Sequence, residues 1–188
     1  VTAYSCLSPV SVTGSVTYVV GGTNTCKAGT VQSSEIAAQS MPISQDQINQ
    51  WKTDAEAGGT TGNINLSGSQ TLSLGPKKII GNLSISNSAV LTLTGIVYVT
   101  GNINVSNNGK IKLDSSYGSL SGVIISDGTI SLSNSFFLQG SGQAGSYLLT
   151  LSTNTSDSAI NASNSASGAI FYASAGGMTV SNNFSARE

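Results

Sequence analysis

One short phrase that returns six times between residues 62 and 188 constrains the fold more than any other feature of this sequence. Each copy alternates apolar residues with small polar residues, which is the pattern of a half-buried β-strand. The copies are residues 64–68, 83–87, 103–107, 130–134, 160–164 and 178–182. Five of them end in Asn, and these Asn residues lie 20, 27, 30 and 18 residues apart. Self-similarity at a period of roughly 20 to 50 residues is typical of repeat architectures.

The alternation predicts two columns of apolar side chains that stack in the interior of the repeat. The columns are Ile64/Leu83/Ile103/Ile130/Ile160/Met178 and Leu66/Ile85/Val105/Leu132/Ala162/Val180. A repeat of this length accommodates three short strands, so we predict an all-β chain that forms a right-handed parallel β-helix (solenoid) of about five to six rungs. The third strand of each rung has apolar residues on both faces, which leaves its inward register open.

The Asn that closes most copies is predicted to serve the fold and to bind no ligand. Asn tolerates the left-handed backbone conformation that a tight corner needs, and its amide can bond the Asn one rung away. Gly68 occupies the same position in the first copy, which fits the same backbone requirement. The predicted structural corner comprises Asn87, Asn107, Asn134, Asn164 and Asn182.

The first 61 residues are predicted to form an N-terminal cap. Residues 10–12 and 15–20 are typical of two strands of a hairpin, with Gly14 at the connection. Cys6 and Cys26 flank this hairpin, and their even number favours a disulfide that closes a loop of about 20 residues and contributes roughly 3 kcal/mol. Two reduced cysteines are the alternative.

A helix is predicted over residues 44–57, within the same cap. Ser44 and Gln47 fit a capping box, Ile48, Trp51 and Ala55 share one face, and Gly58 follows the last turn. An open end of a solenoid exposes unpaired strand edges, so we expect this helix to cover the N-terminal end. Residues 62–188 then form the β-helix, which the abrupt end at Glu188 suggests is truncated.

Several phrases between Met41 and Asn182, about three quarters of the chain, resemble a known group of proteins. They are residues 41–44, 50–52, 74–79, 81–83, 91–95 and 111–118. The resemblance is to right-handed parallel β-helix (β-solenoid) surface proteins of uncultured bacteria that are associated with type IV pilin-like N-termini. It implies an exported, cell-surface or pilus-associated protein. Polymer-forming solenoids of the bactofilin type are a looser likeness.

Composition argues against several classes of function. Charged residues make up 8% of the chain, against about 25% in an average soluble domain, and the net charge is −1. Nucleic-acid binding normally requires a clustered basic surface, so that partner is not expected. The chain has no His and no Cys-x-x-Cys, so we predict neither a metal nor a cofactor. No apolar stretch is long enough to span a membrane.

Right-handed β-helices include polysaccharide lyases and hydrolases, so an enzyme is one alternative. Their chemistry requires clustered carboxylates, or a basic residue beside them. The solenoid segment offers Asp114, Asp127 and Asp157 before the terminal Glu188, and Asp127 is explained by a turn before Gly128. We therefore predict no catalytic residues and no enzyme, with a lyase-like activity ranked third.

The outward positions of the repeated phrase predict an uncharged polar face. Strands one rung apart are about 4.8 Å from each other, so these side chains form a flat ladder. The ladder comprises Asn65, Ser67, Ser84, Ser86, Asn104, Ser106, Ser131 and Ser133 and continues in the later copies. Such a face could lie against a glycan, a mineral or another copy of the chain, or be the ordinary surface of a soluble strand.

A second candidate for ligand binding combines aromatic and charged side chains. Lys110, Lys112 and Asp114 alternate outward on one strand, with Tyr117 and Phe137 expected nearby. We therefore predict a non-catalytic extracellular module of a cell-surface or pilus-associated protein, used for adhesion or assembly. The alternative is a carbohydrate-binding module. The expected partner is a polysaccharide or another cell-surface component, or a second copy that stacks on the solenoid ends.

Overall fold

A computed structural model describes residues 41–163 and 170–181, together with the backbone of strands in residues 2–3, 17–19, 30–32 and 166–167. The chain divides into two compact units, Val1–Ser40 and Met41–Glu188. The helix therefore belongs to the same unit as the repeated strands, and the division falls at 40/41 where the sequence suggested 61/62. The cause is that the helix packs along the repeat, as described below.

Within its described residues, the first unit contains three short parallel strands, β1 (Thr2–Ala3), β2 (Thr17–Val19) and β3 (Thr30–Gln32). Strand β2 lies between the other two, so both of its edges have a parallel neighbour. Both neighbours of β2 are parallel, so the predicted second strand is not half of a hairpin, whose strands are antiparallel. The predicted first strand, residues 10–12, lies outside the described residues. Cys6 and Cys26, and with them the predicted disulfide, lie outside the described residues.

The second unit begins with helix α1 (Gln45–Ala57), followed by strands that visit three sheets in a repeating order. Sheet 1 contains β4 (Thr60–Thr61), β7 (Lys77–Ile79), β10 (Val97–Val99), β13 (Gly122–Ser126), β16 (Leu148–Ser152) and β19 (Ile170–Ala173). Sheet 2 contains β5 (Ile64–Leu66), β8 (Leu83–Ile85), β11 (Ile103–Ser106), β14 (Ile130–Ser133), β17 (Ile160–Ser163) and β20 (Met178–Ser181). Sheet 3 contains β6 (Thr71–Leu74), β9 (Val90–Leu93), β12 (Lys110–Leu113), β15 (Phe136–Gln139) and β18 (Ala166–Ser167).

Each strand in these sheets pairs in parallel with the strand of the same sheet one rung away. The prediction of a mostly β chain, with stacked parallel strands and one helix, is therefore confirmed. The unit is a three-sided parallel β-solenoid. A short 3₁₀ helix (Ser115–Tyr117) interrupts the corner between sheets 3 and 1.

The interior of the solenoid contains both predicted apolar columns through the fifth copy, whereas their last members, Met178 and Val180, are 49% and 44% exposed. In sheet 2, Ile103 pairs with Leu83 and Ile130, and Val105 pairs with Ile85 and Leu132. These side chains are almost completely buried, and leucine and isoleucine residues of sheet 3 meet them in the core. Burying a side chain of this size contributes about 1.5–3 kcal/mol, so the stacked columns provide the main driving force for folding.

The corner between sheets 2 and 3 has the backbone conformation that the sequence suggested. Gly68, Asn87, Asn107 and Asn134 have φ angles of 64°, 53°, 50° and 51°. The Asn107 side-chain amide donates to Asn87 Oδ1 at 3.4 Å, and the Asn87 amide donates to Ser67 Oγ at 3.0 Å. Asn164 and Asn182 lie outside the described residues.

A second asparagine ladder lies at the corner between sheets 1 and 2, and sequence reasoning missed it. The backbone N–H of Asn82 donates to Asn63 Oδ1 at 2.6 Å, and that of Asn102 donates to Asn82 Oδ1 at 2.8 Å. A Cβ on Gly101 would lie 2.4 Å from Asn82 Oδ1, so the corner requires glycine there. The recurring Gly-Asn dipeptide was the available signal.

Helix α1 lies along the outer face of sheet 1 and does not cover the end of the solenoid, so that prediction is wrong. The cap itself is confirmed, because the Gln47 N–H donates to Ser44 Oγ at 3.2 Å. Buried Ile48 and Ala55 pack on the outward side chains of sheet 1. These are Tyr98, Val123, Ile125, Leu149, Leu151 and Tyr172. The strands of sheet 1 are the third strands of the rungs. They are apolar on both sides because one side faces the core and the other is covered by the helix.

Polar contacts show that α1 crosses most of sheet 1. Before the helix, the Ile43 N–H donates to Tyr172 Oη of β19 at 3.4 Å, and this hydroxyl donates to Ile43 O at 3.2 Å. At the other end, Lys78 of β7 pairs with Glu56 at 2.9 Å. The helix therefore occupies the outer face of one of the three sheets.

Candidate functional site

The outward face of sheet 2 carries two columns of small uncharged polar side chains. Strand pairing places Asn104 between Ser84 and Ser131, and Asn161 between Ser131 and Thr179. Asn65, Asn104, Asn161 and Thr179 are exposed, whereas the serines between them are half-buried. Ser86 Oγ donates to Ser67 Oγ at 3.4 Å, which joins neighbouring rungs of the second column. We call these two columns the polar ladder.

The outward face of sheet 3 differs because it carries positive charge and an aromatic ring. Lys110 pairs with Val90 and Phe137, and Lys112 pairs with Thr92 and Gln139. The Lys110 ammonium lies 5.5 Å from the centroid of the Phe137 ring, a distance suited to a cation–π interaction. The structure thus brings together Lys110 and Phe137 from the predicted ligand patch.

Two other members of that patch, Asp114 and Tyr117, have structural roles at the corner between sheets 3 and 1. The Asp114 carboxylate caps the 3₁₀ helix and accepts the Ser116 N–H at 3.0 Å. Hydrogen bonding from Ser116, and to a lesser degree the charge of Lys112, lowers the pKa of Asp114. Tyr117 is half-buried against the core and close to Gly122, and burial together with the Asp114 charge raises its pKa. Tyr117 lines a pocket to which none of the other four residues of the patch contributes.

That pocket, of about 330 Å³, lies between helix α1 and the outer face of sheet 1. Trp51 and Tyr117 provide two aromatic walls, and Ile96, Val123 and Leu149 provide an aliphatic floor. Trp51 was expected to pack, with its helix, on the N-terminal end of the solenoid, but it packs against the outer face of sheet 1. The pocket is mostly apolar, with Ser121 at its rim.

The fifth predicted residue, Lys112, lines a larger groove of about 580 Å³. One wall is strand β15 with Gln139, and the other is the loop of residues 140–147, which carries Gln143 and Tyr147. We call this space the Lys112 groove. Sequence reasoning assigned no role to Gln139, Gln143 or Tyr147, although the Gly-Ser-Gly-Gln-Ala-Gly run signals an enlarged turn.

Asp127, which the sequence explained as a turn residue, fastens helix α1 to the solenoid. Its carboxylate accepts Lys52 Nζ at 2.5 Å, Thr153 Oγ1 at 2.7 Å and the Tyr98 hydroxyl. Burial alone would raise the pKa of Asp127, but these three donors outweigh burial and lower it. Burial and the hydrogen bond to Asp127 raise the pKa of Tyr98. The Lys52 ammonium also lies 5.1 Å from the Tyr98 ring centroid.

Within the described residues, no three His, Cys, Asp or Glu side chains come together in a way that would hold a metal ion. The described part of the chain also forms no helix that is long and apolar enough to cross a membrane. Comparisons of this chain with protein-family models, with curated proteins and with solved structures give no match.

Proposed function

We propose that this protein is a non-catalytic attachment module of the cell surface that holds an extended, uncharged polysaccharide against the polar ladder of sheet 2. The observation that carries the proposal is the ladder itself. It repeats at the spacing of the rungs, about 4.8 Å, and it contains only Asn, Ser and Thr side chains. Hydroxyl and amide groups both donate and accept hydrogen bonds, as do the hydroxyls of a neutral sugar chain.

The ladder is well suited to binding because the solenoid holds it rigid. Every outward side chain alternates with an inward one, and the inward neighbours of Asn104, Ile103 and Val105, are fully buried. The backbone of such a strand loses little conformational freedom when a ligand binds, which lowers the entropic cost of association. Many weak contacts along a polymer can then add up to useful affinity.

The roles of the carboxylates support a module without catalysis. Asp114 caps a 3₁₀ helix and Asp127 binds Lys52, so each is engaged in holding the fold. The low content of charged residues and the resemblance to pilus-associated solenoids support a place outside the cell or on its surface. We further propose that the coil is right-handed, the sense that parallel crossovers overwhelmingly adopt.

The test is retention of the purified protein on a panel of neutral polysaccharides, measured by affinity electrophoresis. We expect at least one polysaccharide to retard the wild-type protein. The variant Asn104→Arg places a long charged side chain in the middle of the ladder, so its retardation should fall about tenfold or more. Ser73→Arg is the matched control, because Ser73 is an exposed outward residue of sheet 3, and it should behave as the wild type. A wild-type protein that no neutral polysaccharide retards would refute the proposal.

A further inference from the structure

We propose that the Lys112 groove binds an acidic sugar, with the Lys112 ammonium facing the sugar carboxylate. This groove is separate from the polar ladder, and the inference does not depend on the function proposed for that ladder. Its volume of about 580 Å³ lies within the range of small-molecule sites, roughly 300–1,000 Å³. One or two sugar units are therefore a suitable size of ligand.

The charge of the groove favours an anion. Lys112 is its one charged lining residue, and within the described residues Lys112 forms no ion pair. The nearest acidic residue along the strand is Asp114, and the Lys112 charge helps to lower its pKa, but the two side chains form no ion pair and the Asp114 carboxylate accepts the Ser116 N–H as a helix cap. Lys110, on the same strand, lies over Phe137. Lys112 is therefore the ammonium that remains available to a carboxylate.

The other lining residues favour a sugar as the body of this anion. Gln139 pairs with Lys112 across the strands, and its exposed side-chain amide can both donate to and accept from a hydroxyl. Gln143 offers a second exposed amide on the opposite wall. Tyr147, at 36% exposure, provides an aromatic surface for the apolar face of a sugar ring. Charge, amides and ring together match a carboxylated sugar better than a simple inorganic anion.

The loop that forms the far wall is built to a defined shape. Ser146 is 8% exposed, and its hydroxyl donates to Leu120 O at 2.7 Å and accepts the Ser141 N–H at 3.0 Å. The Tyr147 N–H donates to Ser121 Oγ at 3.0 Å. A Cβ on Gly140 would lie 2.0 Å from Ser146 O, so the chain passes too closely for any other residue. Tyr147 and Gln143 are thus presented by a loop that is tied to the preceding rung.

The experiment uses isothermal titration calorimetry with tetragalacturonate and with its fully methyl-esterified form, which has the same sugar rings without the charge. We expect the wild-type protein to bind the acid at least tenfold more tightly than the ester. Lys112→Gln should abolish this discrimination, and Lys112→Arg should retain it because the charge is kept. Lys110→Gln is the control, since Lys110 lies on the same strand but outside the groove.

Two further variants separate this site from the polar ladder and from general electrostatic attraction. Tyr147→Ala should weaken binding of both the acid and the ester, because the ring contact does not depend on charge. Asn104→Arg should bind the acid at least as well as the wild type. The proposal is overturned if the wild type binds neither form, if it does not prefer the acid, or if Lys112→Gln and Lys110→Gln lose the preference equally.

Discussion

At the scale of single residues, the inward polar side chains of sheet 1 show how closely the core is specified. Ser126 and Ser152 are fully buried. Each hydroxyl donates to a backbone carbonyl at the corner one rung earlier, Ser126 to Gly101 O and Ser152 to Gly128 O. Thr150 is buried on the same strand as Ser152 and two residues before it, but its Oγ1 has no hydrogen-bond partner within the described residues. A buried hydroxyl without a hydrogen-bond partner lowers the free energy of unfolding, whereas a hydrogen-bonded one raises it.

Two substitutions of similar size should therefore have opposite effects on stability. Thr150→Val keeps the shape of the side chain and removes the unpartnered hydroxyl, so the free energy of unfolding should rise by about 1 kcal/mol. Ser152→Ala removes a hydrogen-bonded hydroxyl, so the free energy of unfolding should fall by about 1 kcal/mol. Urea unfolding followed by circular dichroism measures both. A loss of stability in Thr150→Val would show that its hydroxyl has a partner.

Some single-residue features could be predicted from the sequence, and others could not. The left-handed corner at Asn87, Asn107 and Asn134 could be predicted because few residue types tolerate that conformation. The pairing of Asp127 with Lys52 could not, because the two residues are distant in the chain and meet only when the helix docks. The positions of Gln143 and Tyr147 in the Lys112 groove could not be predicted either, because a loop sequence does not reveal which wall of a groove it forms.

At the scale of elements, the position of helix α1 decides which faces of the solenoid are available. Its apolar residues and its cap were readable from the sequence, and its bounds agree with the prediction. Its location could not be predicted from the helix alone, because an apolar helix face can cover either the end of a solenoid or its side. The signal for the side was in the third strands, which are apolar on both faces, whereas a solvent-facing strand would alternate. The helix thereby covers much of the outer face of sheet 1 and leaves the pocket beside Trp51 at its edge.

The pH dependence of stability should show how Asp127 fastens this helix. The folded protein lowers the pKa of Asp127 below its ordinary value of 3.8, so the unfolded chain binds the proton more readily. The stabilisation is therefore fully present above about pH 4 and is lost as the pH falls through the lower, folded pKa. We expect Asp127→Asn to be less stable than the wild type by about 1–2 kcal/mol at pH 7, since Asp127 is partly exposed, with the difference shrinking below pH 4.

Asp54→Asn is the control for this measurement, because Asp54 is exposed on the same helix. Its stability should stay close to that of the wild type at each pH. Denaturant unfolding from pH 2.5 to pH 8 provides the comparison. A difference between Asp127→Asn and the wild type that is equally large at pH 2.5 and pH 7 would mean that the carboxylate charge is not what holds the helix.

At the scale of the whole molecule, the repeat made the architecture predictable because each rung has the same alternation of inward apolar and outward polar residues. Both apolar columns of sheet 2 pair as the alternation predicted. The N-terminal hairpin was wrong because two neighbouring apolar segments do not reveal whether they pair with each other or with more distant strands. Local patterns thus identified strands more reliably than their partners.

The three outer faces consequently differ in what they can do. Sheet 1 is occupied by the helix, sheet 3 carries Lys110, Phe137 and the Lys112 groove, and sheet 2 carries the uncharged polar ladder. A flat neutral ladder suits a long neutral polymer, and a positively charged groove suits a short acidic unit. The two proposals therefore assign binding surfaces of different chemistry to two faces of one coil.

The most direct test of attachment through the polar ladder is an NMR titration that follows the side-chain amides of Asn and Gln. A soluble oligomer of the neutral polysaccharide that retards the protein is added to ¹⁵N-labelled wild-type protein. We expect shifts of the Asn65, Asn104 and Asn161 side-chain amides, while those of Gln139 and Gln143 in the Lys112 groove stay unchanged. Shifts confined to Gln139 and Gln143, or no shift of any ladder amide at saturating oligomer, would contradict attachment through the polar ladder.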